Sequence, residues 1–126
     1  MAITSSIDAA ARIVLLNYTE EVSPQEWRAV MLAICQEPTY HPGYGFLVDR
    51  RRVGAPTREC VNQVLGIVGT RRETLAAGPW ALVVGNSQSA FGMGRMLSIL
   101  AEELPMRIEV FRDIDVADRW LRAAIT

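Results

Sequence analysis

The sequence predicts an α/β domain with a mixed, mostly parallel sheet of four to five strands and four helices. The chain has 126 residues, which is the size of one domain with one hydrophobic core. Half of the residues are hydrophobic and 21% are charged, as in ordinary globular proteins. Short strand-like apolar runs alternate with segments whose apolar residues recur at helical spacing, a pattern that favours parallel strands joined by helices. Residues 1–126 are therefore predicted to form a single domain.

The first half of the chain predicts two strands, a helix and a third strand. Residues 3–7 are expected to form a short edge strand and residues 12–18 a firmer one, since the second is a run of aliphatic and β-branched side chains. A helix is expected to begin after Ser23, because serine followed by proline and then, three residues on, by glutamate is typical of a capped helix start. Its apolar residues recur at helical spacing up to the next proline. Residues 46–48 then predict a short buried strand that ends at Asp49.

The second half predicts two more strands, each preceded by a helix, and a last helix. Thr57 is expected to cap a helix, because apolar residues at helical spacing follow it. The run 80–84 (WALVV) predicts a strand covered on both faces, and polar residues after it can cap a third helix. Residues 106–111 predict the last strand, and Asp113 or Asp115 caps the last helix. The side chains expected to face the core from that helix are Val116, Ala117, Trp120 and Leu121.

Charge and residue usage exclude several functions. The net charge is −1, from 13 basic and 14 acidic residues, so the basic excess that nucleic-acid binding usually needs is absent. Every basic residue is an arginine, which excludes a Schiff-base lysine and a phosphate-binding loop lysine. One histidine and two separated cysteines do not form a zinc site, and we expect no metal and no cofactor.

The expected location is the cytoplasm. No apolar run approaches the roughly 18 residues that a membrane-spanning helix requires. The N-terminal residues lack the basic and long apolar regions of a signal peptide. Two isolated cysteines, Cys35 and Cys60, are typical of reduced thiols in a reducing compartment.

Three stretches carry a family resemblance over nearly the whole chain. They are residues 18–27 (YTEEVSPQEW), residues 46–49 (FLVD) with the loop and helix that follow, and residues 110–121 (VFRDIDVADRWL). In order and spacing they resemble the small single-domain bacterial members of the STAS-like (SpoIIAA-like) superfamily. The resemblance implies a non-catalytic regulatory domain that acts by contact with a protein partner.

One position departs from the pattern of the superfamily. Its anti-sigma-factor antagonists carry an Asp-Ser-Ser-Gly-like motif, with a phosphorylated serine, at the start of the helix after that loop. Spacing from Asp49 places the corresponding segment at residues 57–60 (TREC), with Arg58 at the serine position. A fixed positive charge there replaces a switchable negative one, so we expect no antagonist-type phosphorylation switch.

The candidate site lies at the carboxyl ends of two predicted strands. If the strands ending at Asp49 and Gly85 are parallel, the loops after them emerge together, where open α/β sheets bind ligands. Two helix N-termini, which favour anions, would also point there. The residues predicted to form this site are Asp49, Arg50, Arg51, Arg58, Asn86, Ser87, Ser89 and Arg95.

Three interpretations of that site remain open. The first is a surface for an acidic patch on a partner protein. The second is a sensor or carrier site for a small anion such as phosphate, sulfate or a carboxylate. The third is a solvated arginine loop that Asp49 ties down by a salt bridge.

Catalysis is not expected, although one residue is a candidate for proton transfer. The only histidine, His41, precedes the serines after residue 85, whereas hydrolases with a serine on such a turn place their histidine after it. Glu20 and Glu21 are interpreted as solvated charges and not as an acid–base couple. Asp49 is the remaining candidate. A homodimer is a further candidate assembly, because two-fold dimers are the commonest oligomers.

Overall fold

The computed structural model describes residues 2–53, 57–86, 92, 95, 96, 99 and 107–125. In chain order its elements are β1 (Ile3–Asp8), β2 (Ile13–Tyr18), α1 (Pro24–Gln36), β3 (Gly45–Asp49), α2 (Arg58–Thr70), α3 (Arg72–Leu75), β4 (Trp80–Val83), β5 (Ile108–Phe111) and α4 (Ile114–Ile125). Residues 92, 95, 96 and 99 are also helical, where the sequence predicts a helix between the last two strands. Among the described helices, none is long and apolar enough to cross a lipid bilayer.

The five described strands, β1 to β5, lie in the sheet in the same order as in the chain. β1 is antiparallel to β2, and β2, β3, β4 and β5 are parallel to one another. The predicted α/β class and its mixed, mostly parallel sheet are therefore confirmed. The four parallel strands end at the same side of the molecule. We call this side the carboxyl rim and define it by the last residues of those strands, Tyr18, Asp49, Val83 and Phe111.

The main core lies on the face of the sheet that α1 and α2 cover. Each crossover moves one strand further in the same direction, and because such crossovers are right-handed, their helices are expected on one face. Val14 and Phe46 from the sheet pack there in one cluster with Met31 of α1 and Val68 of α2. All four side chains are at most 1% exposed.

An aromatic stack fills the middle of this core. Phe46 and Trp80 are neighbours in β3 and β4, and their rings stack with centroids 4.1 Å apart. The indole N–H of Trp80 donates to the carbonyl of Leu75 at 2.7 Å, and the hydroxyl of Tyr40 donates to the carbonyl of Thr74 at 2.7 Å. The short helix α3, which the sequence did not predict, thus supplies acceptors for two buried aromatic donors.

α4 covers the opposite face of the sheet and packs on β3, β4 and β5. Ala117 and Leu121 are fully buried there, in a second core that includes Leu47. Gly45 permits the close approach of the helix, because a Cβ at this position would lie 2.8 Å from side-chain atoms of Leu121 and Ile125.

The predicted caps of α1 and α2 are present. The hydroxyl of Ser23 accepts from the N–H of Glu26 at 3.2 Å, and the hydroxyl of Thr57 accepts from the N–H of Cys60 at 3.1 Å. Each satisfies one of the N–H groups that a helix start leaves unpaired.

The start of α4 shows which aspartate caps the helix and shows that one predicted core residue is exposed. Asp113 is the cap, since its Oδ1 accepts from the N–H groups of Asp115 at 2.8 Å and Val116 at 3.3 Å. Val116 was expected to face the core, but it is 41% exposed. The reason is that it lies about 100° around the helix from the fully buried Ala117.

We expect Gly45→Ala to lower the free energy of unfolding by about 1–3 kcal/mol, because the added methyl would crowd the packed Leu121. Gly66→Ala is the matched control: a Cβ there meets nothing within 4 Å, and removing glycine from the interior of α2 should raise stability by about 0.5–1 kcal/mol. Urea unfolding of both variants checks this. A Gly45→Ala protein as stable as the Gly66→Ala protein would contradict the packing of α4 on β3.

Candidate functional site

The segments that follow β3 and β4 meet at the carboxyl rim. Asp49 pairs in parallel register with Val83, so both strands end side by side. The N–H of Arg50 donates to the carbonyl of Val83 at 2.8 Å. A Cβ on Gly85 would lie 3.5 Å from the carbonyl oxygen of Arg51. The two segments of the predicted site therefore touch one another.

Arg50 is a buried charge at this rim, with 9% of its surface exposed. Its Nη2 donates to both carboxylate oxygens of Glu21, at 2.9 and 3.1 Å. Its guanidinium also lies over the ring of Tyr18, 4.7 Å from the ring centroid. Burial raises the pKa of Tyr18 to about 12, although the nearby Arg50 charge acts in the opposite direction. Arg50 is thus held between a carboxylate and a neutral phenol.

Asp49 and Arg51 form a second ion pair on the same segment. Nε and Nη2 of Arg51 donate to the two carboxylate oxygens of Asp49 at 3.0 and 2.8 Å, in the forked geometry of a strong pair. The backbone N–H of Arg51 donates to the same carboxylate at 3.1 Å. These hydrogen bonds hold the pKa of Asp49 below its ordinary value and raise the pKa of Arg51.

The ion pair bears on the proton-transfer role that the sequence left open for Asp49. A carboxylate whose pKa is lowered by a guanidinium is a weaker proton acceptor than an ordinary one, and it is further from the neutral range in which a general base works best. The geometry therefore disfavours Asp49 as a general acid or base. It agrees with the interpretation in which Asp49 ties down the arginine loop.

The first turn of α2 also reaches the carboxyl rim. Burial raises the pKa of the Cys60 thiol, the charge of Glu21 raises it further, and the charge of Arg50 acts in the opposite direction, so the charges of the Glu21–Arg50 pair act on this turn. Arg58 begins α2 and is exposed, as is Arg52 on the preceding loop. No ion pair to another residue of the described chain is observed for these two guanidinium groups, unlike those of Arg50 and Arg51.

The remaining predicted site residues follow β4 in the chain. Asn86 follows β4 and is exposed, and Arg95 is exposed on a helical segment further along the chain. Ser87 and Ser89 lie outside the described residues. The structure thus brings together Asp49, Arg50 and Arg51, with Arg58 and Asn86 on the segments that border them.

Sequence reasoning missed three acidic residues that act on the arginines of the rim. Glu21, interpreted above as a solvated charge, engages Arg50 while its own side chain stays 49% exposed. Asp113 and Asp115 follow β5, and their charges help to raise the pKa of Arg51. The direction of the strands could have indicated these residues. β2 and β5 end at the same rim as β3 and β4, so acidic residues just after β2 and β5 lie on the side of the arginines.

Within the described ranges, no group of three or more His, Cys, Asp and Glu side chains is placed to hold a metal ion. Cys35 and Cys60 are free thiols. A scan of the chain against protein-family models found no match, and a search of curated proteins found none either. The chemistry of the carboxyl rim is therefore the basis for any functional proposal.

We expect Glu21→Gln to lower the free energy of unfolding by about 1 kcal/mol, because the buried Arg50 guanidinium would lose its carboxylate. This loss of stability is smaller than that for a fully buried ion pair, because Glu21 is half exposed and solvent screens its attraction to Arg50. Glu20→Gln, one residue earlier on the same exposed turn, should change stability by less than about 0.5 kcal/mol. Chemical unfolding at neutral pH and low salt compares the two. Equal stability of both variants would contradict a structural role for the Glu21–Arg50 pair.

Proposed function

We propose that this protein is a non-catalytic interaction domain of STAS-like type that binds a protein partner through its carboxyl rim. The observation that carries this proposal is the internal pairing of the two central arginines. Arg50 is held by Glu21 and Arg51 by Asp49, each through two hydrogen bonds from the guanidinium to the carboxylate.

This pairing favours a protein partner over a small anion. A phosphate or carboxylate that bound the central arginines would have to displace carboxylates that already occupy them. A protein surface has no such requirement, because it can contact the exposed parts of the rim and leave the two ion pairs intact. Mixed charges of this kind give an interface its orientation and selectivity more than its raw affinity.

The exposed cations indicate the chemistry of the partner. Arg52 and Arg58 face solvent on either side of the segment that leads into α2. Arginine is enriched at protein interfaces because its planar fork pairs with carboxylates and stacks on aromatic rings. We therefore propose a partner whose contacting surface carries carboxylate side chains.

One further observation supports the STAS-like part of the proposal, and two others bear on its control and on its cellular setting. After an antiparallel first pair, strands alternate with helices along the chain in a mostly parallel sheet, and this alternation supports an assignment of STAS-like type. Thr57 is engaged as the cap of α2 and Arg58 follows it, so control through a phosphorylated serine is not part of the proposal. The two free thiols suit a reducing, cytoplasmic setting.

The test uses charge reversal on two surfaces. The double variant Arg52→Glu/Arg58→Glu alters the rim, and Arg71→Glu/Arg72→Glu is the matched control at the other end of α2, where both side chains are also exposed. In affinity capture from extracts of the source cells, we expect one protein to be retained by the wild type and the control, and lost from the rim variant. Cross-links from that protein should map to the rim.

A titration with inorganic phosphate distinguishes the second candidate, a small-anion site. We expect the backbone amide NMR signals of Arg52 and Arg58 to move only weakly and without saturation up to about 10 mM phosphate, which corresponds to a binding free energy weaker than about −3 kcal/mol. Saturable shifts at lower concentration, or a captured protein that both double variants retain, would contradict the proposal.

A further inference from the structure

Among the strands that the structure describes, β1 forms one lateral edge of the sheet, since it is the first strand in the order and pairs there with β2. Its register with β2 is unbroken from Ile3 opposite Tyr18 to Asp8 opposite Ile13, so the strand contains no bulge. Its three central residues are all exposed. A strand in this position presents a row of backbone N–H and C=O groups that can pair with another strand.

The hydrogen bonds to β2 show which backbone groups point outward. The carbonyl of Ala2 accepts from the N–H of Thr19 at 2.9 Å, and this fixes the phase of the antiparallel ladder. Bonded and non-bonded pairs alternate along such a ladder, so the even-numbered residues of β1 turn their backbone groups toward β2. The residues of β1 that turn theirs away from β2 are Ile3, Ser5 and Ile7.

β1 lacks the features that usually prevent edge strands from pairing. Natural edges are blunted by proline, by bulges or by charged side chains. β1 contains no proline, and its one charged residue, Asp8, stands at its end. β5, the last strand in the sheet order, differs, since Glu109 lies within it and Arg107 and Arg112 flank it.

We propose that β1 pairs antiparallel with β1 of a second copy of this chain, about a two-fold axis at Ser5. This register places Ser5 opposite Ser5 and Ile3 of each copy opposite Ile7 of the other. All three outward-facing residues then form hydrogen-bonded pairs, and each pair exchanges two N–H···O bonds. The two sheets would become one continuous sheet across the axis.

The side chains of β1 suit this register. Ile3 belongs to the main core and Ile7 packs against its margin, so the Ile3–Ile7 pairs would extend the core across the axis. Asp8 would lie opposite Ala2 of the other copy, which avoids contact between like charges. A groove of about 240 Å³ opens beside Ser5 and Ile7 against the end of α1, and a strand added to β1 would run along it.

The size of the contact sets its strength. One strand pair buries less than the roughly 1,600 Å² of a standard interface, so we expect a reversible dimer with a dissociation constant on the order of 10 μM. This inference concerns a different surface from the carboxyl rim, and the Arg52→Glu/Arg58→Glu variant should dimerise like the wild type.

Sedimentation velocity from about 1 μM to about 1 mM tests the dimer. Ser5→Lys places two ammonium groups opposite one another on the axis and should weaken association by up to about fivefold. Thr4→Lys is the matched control, because in this register Thr4 lies opposite Ser6 of the other copy and the two ammonium groups do not face each other. Ser5 and Thr4 are both exposed, so neither lysine is expected to disturb the monomer.

Disulfide formation tests the register. In a hydrogen-bonded pair the facing Cα atoms lie about 5.5 Å apart, within the range that a disulfide spans. Ser5→Cys should therefore form a covalent dimer under mild oxidation, whereas Thr4→Cys should not, because two copies of residue 4 are offset along the strands. The wild type is oxidised in parallel to account for Cys35 and Cys60.

Three results would overturn the proposal. The first is a wild-type protein that stays monomeric over the whole concentration range, and this holds also if its β1 pairs with a different protein. The second is a dimer that Ser5→Lys leaves intact. The third is a Thr4→Cys variant that forms the disulfide-linked dimer as readily as Ser5→Cys does.

Discussion

The parallel pairing of β2, β3, β4 and β5 in chain order is the constraint on which the rest of the structure depends. It makes all four strands end at one rim, so that the segments following them meet there. Its right-handed crossovers place α1 and α2 over one face of the sheet, and α4, which follows the last strand, covers the other face. The Glu21–Arg50 pair joins the segments after β2 and β3, and the charges of Asp113 and Asp115 act on Arg51 from the segment after β5.

The arginines of the rim differ in their burial and in the contacts of their guanidinium groups. A buried guanidinium is costly unless a carboxylate and hydrogen bonds compensate it, and Arg50 meets that requirement through Glu21. Arg51 is more exposed and acts locally, by fixing the Asp49 carboxylate at the end of β3. Arg52 and Arg58 are exposed to solvent. Within a run of three consecutive arginines, one guanidinium is thus buried in an ion pair, one is paired at the surface and one is exposed.

The sequence predicted the fold better than it predicted the contacts of the site. Alternating strand and helix patterns were sufficient for the parallel sheet, and cap residues such as Ser23 and Thr57 located two helix starts. Strand order, however, is a property of tertiary packing that local patterns do not encode. The Glu21–Arg50 pair could not be foreseen because it depends on β2 lying beside β3, and α3 escaped notice because four residues are too short for helical periodicity to appear.

NMR of the arginine side-chain Nε–Hε groups tests the central claim most directly, namely that Arg50 and Arg51 are occupied by carboxylates of this chain. The account predicts restricted guanidinium motion and slow exchange of Hε with water for Arg50 and Arg51. For Arg52 and Arg58 it predicts freely rotating side chains and fast exchange of Hε with water. Four arginines with the same motion and exchange, or restricted motion at Arg52 and Arg58 alone, would contradict it.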